Sequence, residues 1–134
     1  MIFVDTSFWV AARLSRDDHH KNALALFEGI SEQRLVTSNH VQGETWTFLG
    51  RCDGHATAVA FLDMLARTSW VDVVRVSADH EAEALRWLRR HDEREYSFVD
   101  ATSFALMRSL KIRDALSFDG DFAAAGFTEL RPTA

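Results

Sequence analysis

This 134-residue sequence predicts a doubly wound α/β fold, with a mostly parallel central sheet covered by helices on both faces. Two observations carry that expectation. Short apolar runs alternate with segments of helical periodicity, and the first run, MIFV, has no polar side at all. A strand buried on both faces reads as a continuous apolar run, which is the mark of a sheet sandwiched between helices.

The elements follow in order. IFV (2–4) is the first strand and is cut by Asp5, after which residues 6–14 and 19–30 read as helices. RLVT (34–37) is the second strand. In NHVQGETWTFLG, Asn39 and Gln42 have capping-box spacing, so a helix is expected over 39–51, with another over 54–68. WVDVVRV (70–76) is the third strand, followed by an amphipathic helix at 79–91. Ser97 and Asp100 form a second box, opening a helix at 98–111 that is apolar nearly all round and therefore buried. ALSF (115–118) and a short FTEL (127–130) complete the strands. The pattern is β-α-β-α-β-α-β, without repeat, linker or low-complexity segment, so residues 1–134 are expected to form a single domain.

Composition narrows the class. Hydrophobic residues make up 47% and charged ones 26%, the balance of a globular protein. Residues 1–30 lack the basic and apolar regions of a signal peptide, so export is not expected; no apolar run is long enough to span a bilayer, and one cysteine, Cys52, permits no internal disulfide. Cytoplasmic location and no membrane partner are expected. The net charge of −5 argues against nucleic acid unless the acids cluster around a cation.

Four acidic positions are placed where such clustering would occur. Parallel α/β sheets bind ligands beyond the carboxyl ends of their strands. Asp5 follows the first strand, Asp100 opens a buried helix, and Asp119 and Asp121 follow the strand at 115–118. Glu44 is expected on the stripe of Val41 and Phe48, pointing inward, unless the helix phase is misjudged or the position is a partly exposed rim. Each has a structural explanation: Asp5 as an N-cap, Asp100 as the box partner of Ser97, the Asp119-Gly120-Asp121 segment as a turn. Together they form a set that cannot stay bare, since two carboxylates about 5 Å apart repel by roughly 3 kcal/mol at an effective dielectric of 20. All-oxygen ligation selects Mg²⁺ or Mn²⁺, and such ions can activate water and stabilise the leaving oxygen of a phosphodiester.

DTSFW behind the first strand, a helical glutamate at 44, YSFVDATSFA and the late SFDGDF together resemble the PIN domain, particularly VapC toxins. That resemblance spans essentially the whole chain. It implies a Mg²⁺- or Mn²⁺-dependent endoribonuclease whose metal-activated water leaves a 5′-phosphate and a 3′-hydroxyl. Asp5, Glu44 and Asp100 take the core acid positions, and Asp119, nearer the strand end than Asp121, is favoured as the fourth. Asp5, Asp100 and Asp119 are the implied metal ligands, with Thr6, Ser7 and Ser97 as supporting hydroxyls. The resemblance also implies a homodimer, a VapB-type antitoxin and a structured RNA substrate, either tRNA or the sarcin–ricin loop of rRNA.

Further contacts are expected from EALRWLRRHDERE, where Arg86, Arg89 and Arg90 share a helix face and could meet phosphates, unless that face is only solvated while Leu85 and Leu88 pack inward. Trp87 reads as a core residue or a base-stacking one. His40 is the histidine nearest a proposed ligand. Two other classes compete with the nuclease. A receiver-like signalling domain would need a basic partner at a late strand end, and neither Lys21 nor Lys111 is so placed. A catalytically silent PIN-like module that binds RNA or protein would keep the acids for structure alone.

Overall fold

The computed structural model describes residues 1–30 and 32–133. Five strands form one sheet in the order β3-β2-β1-β4-β5, with every neighbouring pair parallel. The strands are β1 (Ile2–Val4), β2 (Leu35–Ser38), β3 (Val71–Val74), β4 (Asp114–Leu116) and β5 (Thr128–Glu129). Between them run α1 (Thr6–Arg13) and α2 (His20–Gly29), α3 (Asn39–Asp53) and α4 (His55–Arg67), α5 (Ala78–Arg90) and α6 (Phe98–Leu110). A short α7 (Asp121–Ala124) links β4 to β5. The doubly wound parallel sheet is therefore present, and each expected strand and helix exists with ends shifted by a few residues.

The three-residue β1 lies at the centre of the sheet, and its residues are all buried. From β1 the chain winds outward through β2 to β3, then returns to the other side of β1 for β4 and β5. The winding reverses between β1 and β4, and at such a point the connections leave in opposite directions and open a crevice at the carboxyl ends. Asp5 ends β1 there, and its backbone N–H donates to the Leu116 carbonyl at 3.0 Å, continuing the ladder between the two strands.

Aromatic packing fixes the helices around the sheet. Phe3 stacks on Phe122, which meets Phe104 edge-on at 4.9 Å, while Trp9 packs against Phe61 and Phe8 against Phe27. Helix α6 is buried continuously from Asp100 to Met107, as its all-round apolar character requires. No helix among the described residues is long and apolar enough to cross a membrane.

Three local expectations need correction. The cap of α3 is Ser38, whose hydroxyl accepts from the Val41 N–H; Asn39 is already helical and accepts from the Val76 N–H instead. Two neighbouring residues both suited to capping made the start ambiguous by one position. The buried stripe of α3 is Val41, Thr45 and Leu49, so Glu44 is exposed and Phe48 is 45% exposed. On α5 the buried residues are Ala84 and Trp87, whereas Leu85 faces solvent.

Candidate active site

A cavity of about 520 Å³ opens at the switch point, lined by Asp5, Glu44, Asp100, Asp119 and Asp121 among others. All five acidic residues singled out in the sequence thus meet at one place. The chain separates them by more than a hundred residues, and only the convergence of β1, α3, α6 and the β4–α7 connection assembles them.

Asp5 is almost fully buried and caps α1. Its Oδ2 accepts from the Ser7 N–H at 3.3 Å, the Ser7 hydroxyl at 3.0 Å and the Ser117 hydroxyl at 3.2 Å. With these donors gathered on Oδ2, Oδ1 is left for the cavity. Burial pushes the Asp5 carboxyl up to about 8, reinforced by the charges of Asp119 and Asp100 and only partly opposed by hydrogen bonds. Asp5 is therefore both a cap and a group held in conflict with its surroundings.

Asp100 also has two parts. Its Oδ2 accepts from the Ser97 N–H at 3.1 Å while the Ser97 hydroxyl accepts from the Asp100 N–H at 2.9 Å, completing the capping box. Burial raises its carboxyl to about 7, with Asp119 and Asp121 adding to the rise against the hydrogen bonds from Ser97. Asp119 is raised too, again chiefly by burial. Asp100, Asp119 and Asp121 each bring one carboxylate oxygen to within 4.8 Å of the others. Asp5 is not in that trio, but the Ser117 hydroxyl lies 3.2 Å from both Asp5 Oδ2 and Asp119 Oδ1 and bridges them with its single shared proton.

The β4–α7 connection is held by residues that the sequence reading did not single out. Gly120 adopts φ +82°, a conformation that suits glycine, and a Cβ there would lie 3.3 Å from Arg94 Nη2. The nearly buried Glu129 side chain accepts from the N–H groups of Gly120 and Ala123 and from Arg131. Arg131 in turn donates to the Ser117 carbonyl at 2.8 Å. Arg94 pairs with Asp121 at 2.9 Å and is the guanidinium nearest the acids. Glu129→Ala is expected to cost about 2 kcal/mol, because it strips a charged acceptor from two backbone donors. Urea unfolding measures that loss.

The hydroxyls divide by role. Ser7 donates to Asp5 and accepts from the Phe118 N–H, so it ties α1 to the end of β4. Ser97 serves Asp100. Thr6 Oγ1 is buried without a hydrogen-bond partner, and Thr6 lines the cavity. Arg86, Arg89 and Arg90 are exposed on α5, and none of them lines the cavity. Trp87 is a core residue, packed on Tyr96 and Phe104. His40 faces Glu81 at 3.5 Å, away from the acid trio.

An oxygen-only donor set at the carboxyl edge, with carboxyls raised by burial and further by one another's charge and an unpartnered hydroxyl beside them, fits a hard divalent cation. Zinc is disfavoured, since the cavity offers no cysteine and its one histidine, His19, is stacked on Phe118.

Fold and site together define a nuclease-type α/β domain, and residues 2–128 match the PIN domain. The chain belongs to the PIN-domain family, and within it to the VapC-type toxins, which are endonucleases. It is 55% identical over 132 residues to the 23S rRNA-specific endonuclease VapC20 of Mycobacterium tuberculosis H37Rv, covering 98% of this chain and 99% of that one. The crystal structure of M. tuberculosis VapC20, a sarcin–ricin loop cleaving toxin, superposes with a TM-score of 0.94 at 53% identity, covering 98% of this chain and all of the other. The structure of VapBC2 from Rickettsia felis, bound to a promoter DNA fragment, has a TM-score of 0.67 at 16% identity over 97% of each chain. At that identity it speaks for the fold alone.

Proposed function

We propose that this protein is a Mg²⁺- or Mn²⁺-dependent endoribonuclease that cuts the sarcin–ricin loop of 23S rRNA, and that it is the toxin of a toxin–antitoxin pair. The observation that carries this reading is the gathering of five acids in one cavity of a chain 55% identical to VapC20 along its length. Asp5, Asp100 and Asp119 would hold the cation, with Glu44 and Asp121 completing the acid set. When bound, such an ion supplies charge to polarise the phosphodiester and to make water nucleophilic near neutral pH.

The chain's own residues do the rest. Asp5 and Asp100 present one oxygen each to the cavity, because their Oδ2 atoms are committed to the caps of α1 and α6. Ser117 sets the spacing of Asp5 and Asp119. Thr6 lines the cavity, and its buried, unpartnered Oγ1 is a hydrogen-bonding group held in reserve beside the acids. With water as the nucleophile and the 3′-oxygen as the leaving group, the P–O3′ bond breaks, the products carry a 5′-phosphate and a 3′-hydroxyl, and the 2′-hydroxyl is not consumed.

Ser117→Ala is expected to lower cation affinity or turnover by about 10- to 100-fold, the usual effect of losing a group that orients a ligand. Titration of Mn²⁺ binding beside cleavage kinetics measures both. A VapB-type antitoxin, a homodimeric state and residence in the cytoplasm belong to the same proposal. In its support, an apolar cavity of about 500 Å³ lined by Trp9, Phe27, Met64 and Trp70 offers surface for a protein partner, and Trp70 is 42% exposed.

The test is to incubate the purified protein with total bacterial RNA, in Mg²⁺, Mn²⁺ or EDTA, and to map new 5′-phosphate ends. One dominant cut within the sarcin–ricin loop, abolished by EDTA, is expected. Cuts that survive EDTA would overturn the metal assignment, and metal-dependent cuts confined to other RNAs would overturn the substrate.

A further inference from the structure

The acidic cavity poses a difficulty for an RNA substrate. It is lined by seven carboxylate side chains besides its apolar, hydroxyl and imidazole groups, and by no lysine or arginine. The nearby Arg94 is already paired with Asp121, and Arg86, Arg89 and Arg90 lie elsewhere. Apart from the cation those acids would hold, the cavity has no positive group to attract RNA, and one part of its wall is built for an uncharged contact.

His19 and Phe118 both line the cavity, and their rings are parallel within 4° at a centroid distance of 4.5 Å. Phe118 sits between Ser117 and Asp119, so the stack adjoins the residues that carry the acids. Its orientation is fixed by Phe8, stacked at 5.8 Å, by the Arg131 guanidinium at 5.1 Å, and by the hydrogen bond from its N–H to Ser7. His19 is held through its backbone: its N–H donates to Asp17 Oδ1 at 2.8 Å, and the next residue, His20, contacts the Ala11 carbonyl through Nδ1. The His19 ring caps nothing at the start of α2 and is exposed. One face of that imidazole rests on Phe118, and the exposed residue borders the cavity, where the stack can be extended by another flat ring.

Unpaired bases of RNA loops are recognised by stacking on such rings, a contact that needs no basic group. We propose that His19, backed by Phe118, is the platform for an unpaired nucleobase flanking the scissile phosphate. This deepens the ribonuclease reading above and rests on it.

A binding cycle tests it. Equilibrium affinity for a sarcin–ricin stem-loop RNA is measured with Mg²⁺ in an Asp5→Asn background, where cutting does not interfere. His19 is retained or changed to Ala or Tyr, and the RNA is intact or carries one abasic nucleotide at each loop position in turn. His19→Ala is expected to lose roughly tenfold in affinity for intact RNA. Removing the base at one loop position should cost the His19 protein the same factor and the Ala variant nothing more, and His19→Tyr should restore both affinity and coupling. Additive losses at every position, or full affinity in the Ala variant, would overturn the proposal. If the wild-type protein neither binds nor cuts the stem-loop with Mn²⁺ present, the sarcin–ricin substrate assignment falls, and the platform with it.

Discussion

Asp5→Asn is expected to lower RNA cleavage on the order of 10³-fold while making the metal-free protein more stable at pH 8. The two effects share one cause. Asp5 is buried at the junction of β1 and β4, faces the charges of Asp119 and Asp100, and has its carboxyl pushed up to about 8. Keeping it ionised in the folded state costs free energy that the unfolded chain does not pay. Asn retains an oxygen able to cap α1 and to accept from Ser7, so the local fold is preserved while the charge is removed. The loss of turnover reflects removal of a negative charge that would help hold the cation serving the reacting phosphate. The gain in stability at pH 8 should be on the order of several kcal/mol. Cleavage kinetics and urea unfolding of the same preparation check both. A variant that keeps full activity would remove Asp5 from the site, and one that unfolds more easily would make its role structural.

The stability of the metal-free protein should fall between pH 5 and pH 8, and a divalent cation should reverse the trend. Asp5 and Asp100 are raised to about 8 and about 7, so the folded protein retains protons that the unfolded chain releases above about pH 4. Their contribution to stability is full below that value and is lost as the pH rises through 7 and 8. Asp53 and Glu93 are shifted the other way, Asp53 chiefly by its bonds to Thr57 and Arg16 and Glu93 by hydrogen bonds. Their contribution disappears only on acidification below the ordinary carboxylate range, so they add no slope in this window. A cation binds the deprotonated acids, and the difference in Tm between Mn²⁺ and EDTA should therefore widen as the pH rises. Thermal scans at pH 5, 6, 7 and 8 measure it. A difference independent of pH would mean that the raised carboxyls do not hold the ion.

What the sequence disclosed, and what it concealed, follow from the range of the interactions. Asp5, Asp100 and Asp119 were legible because strand ends and helix starts have local signatures, and a parallel sheet brings those ends to one edge. Glu44 was identified as a site residue, but its direction was misread. Its helix buries Thr45, whose hydroxyl is satisfied by the Val41 carbonyl at 2.7 Å, so a polar residue stands in the apolar stripe and shifts the apparent phase by one residue. Ser117, Glu129 and Arg131 gave no signal. Ser117 meets Asp5 across 112 positions of sequence, and the worth of Glu129 lies in backbone donors that only the turn at Gly120 exposes. Helix α7, with four residues, is too short to have a period. The stacking of His19 on Phe118, a hundred residues away, is likewise a product of the fold.

The central claim is that the acids at the β1–β4 switch point form a divalent-cation site. It is tested most directly by Mn²⁺ binding at pH 7.5, followed by electron paramagnetic resonance, in the wild-type protein and in Asp100→Asn. The wild type should take up Mn²⁺ with loss of the free-ion signal, and Mg²⁺ should displace it, while Asp100→Asn should bind far more weakly. Equal binding by both proteins, or none by a folded wild type, would contradict the assignment.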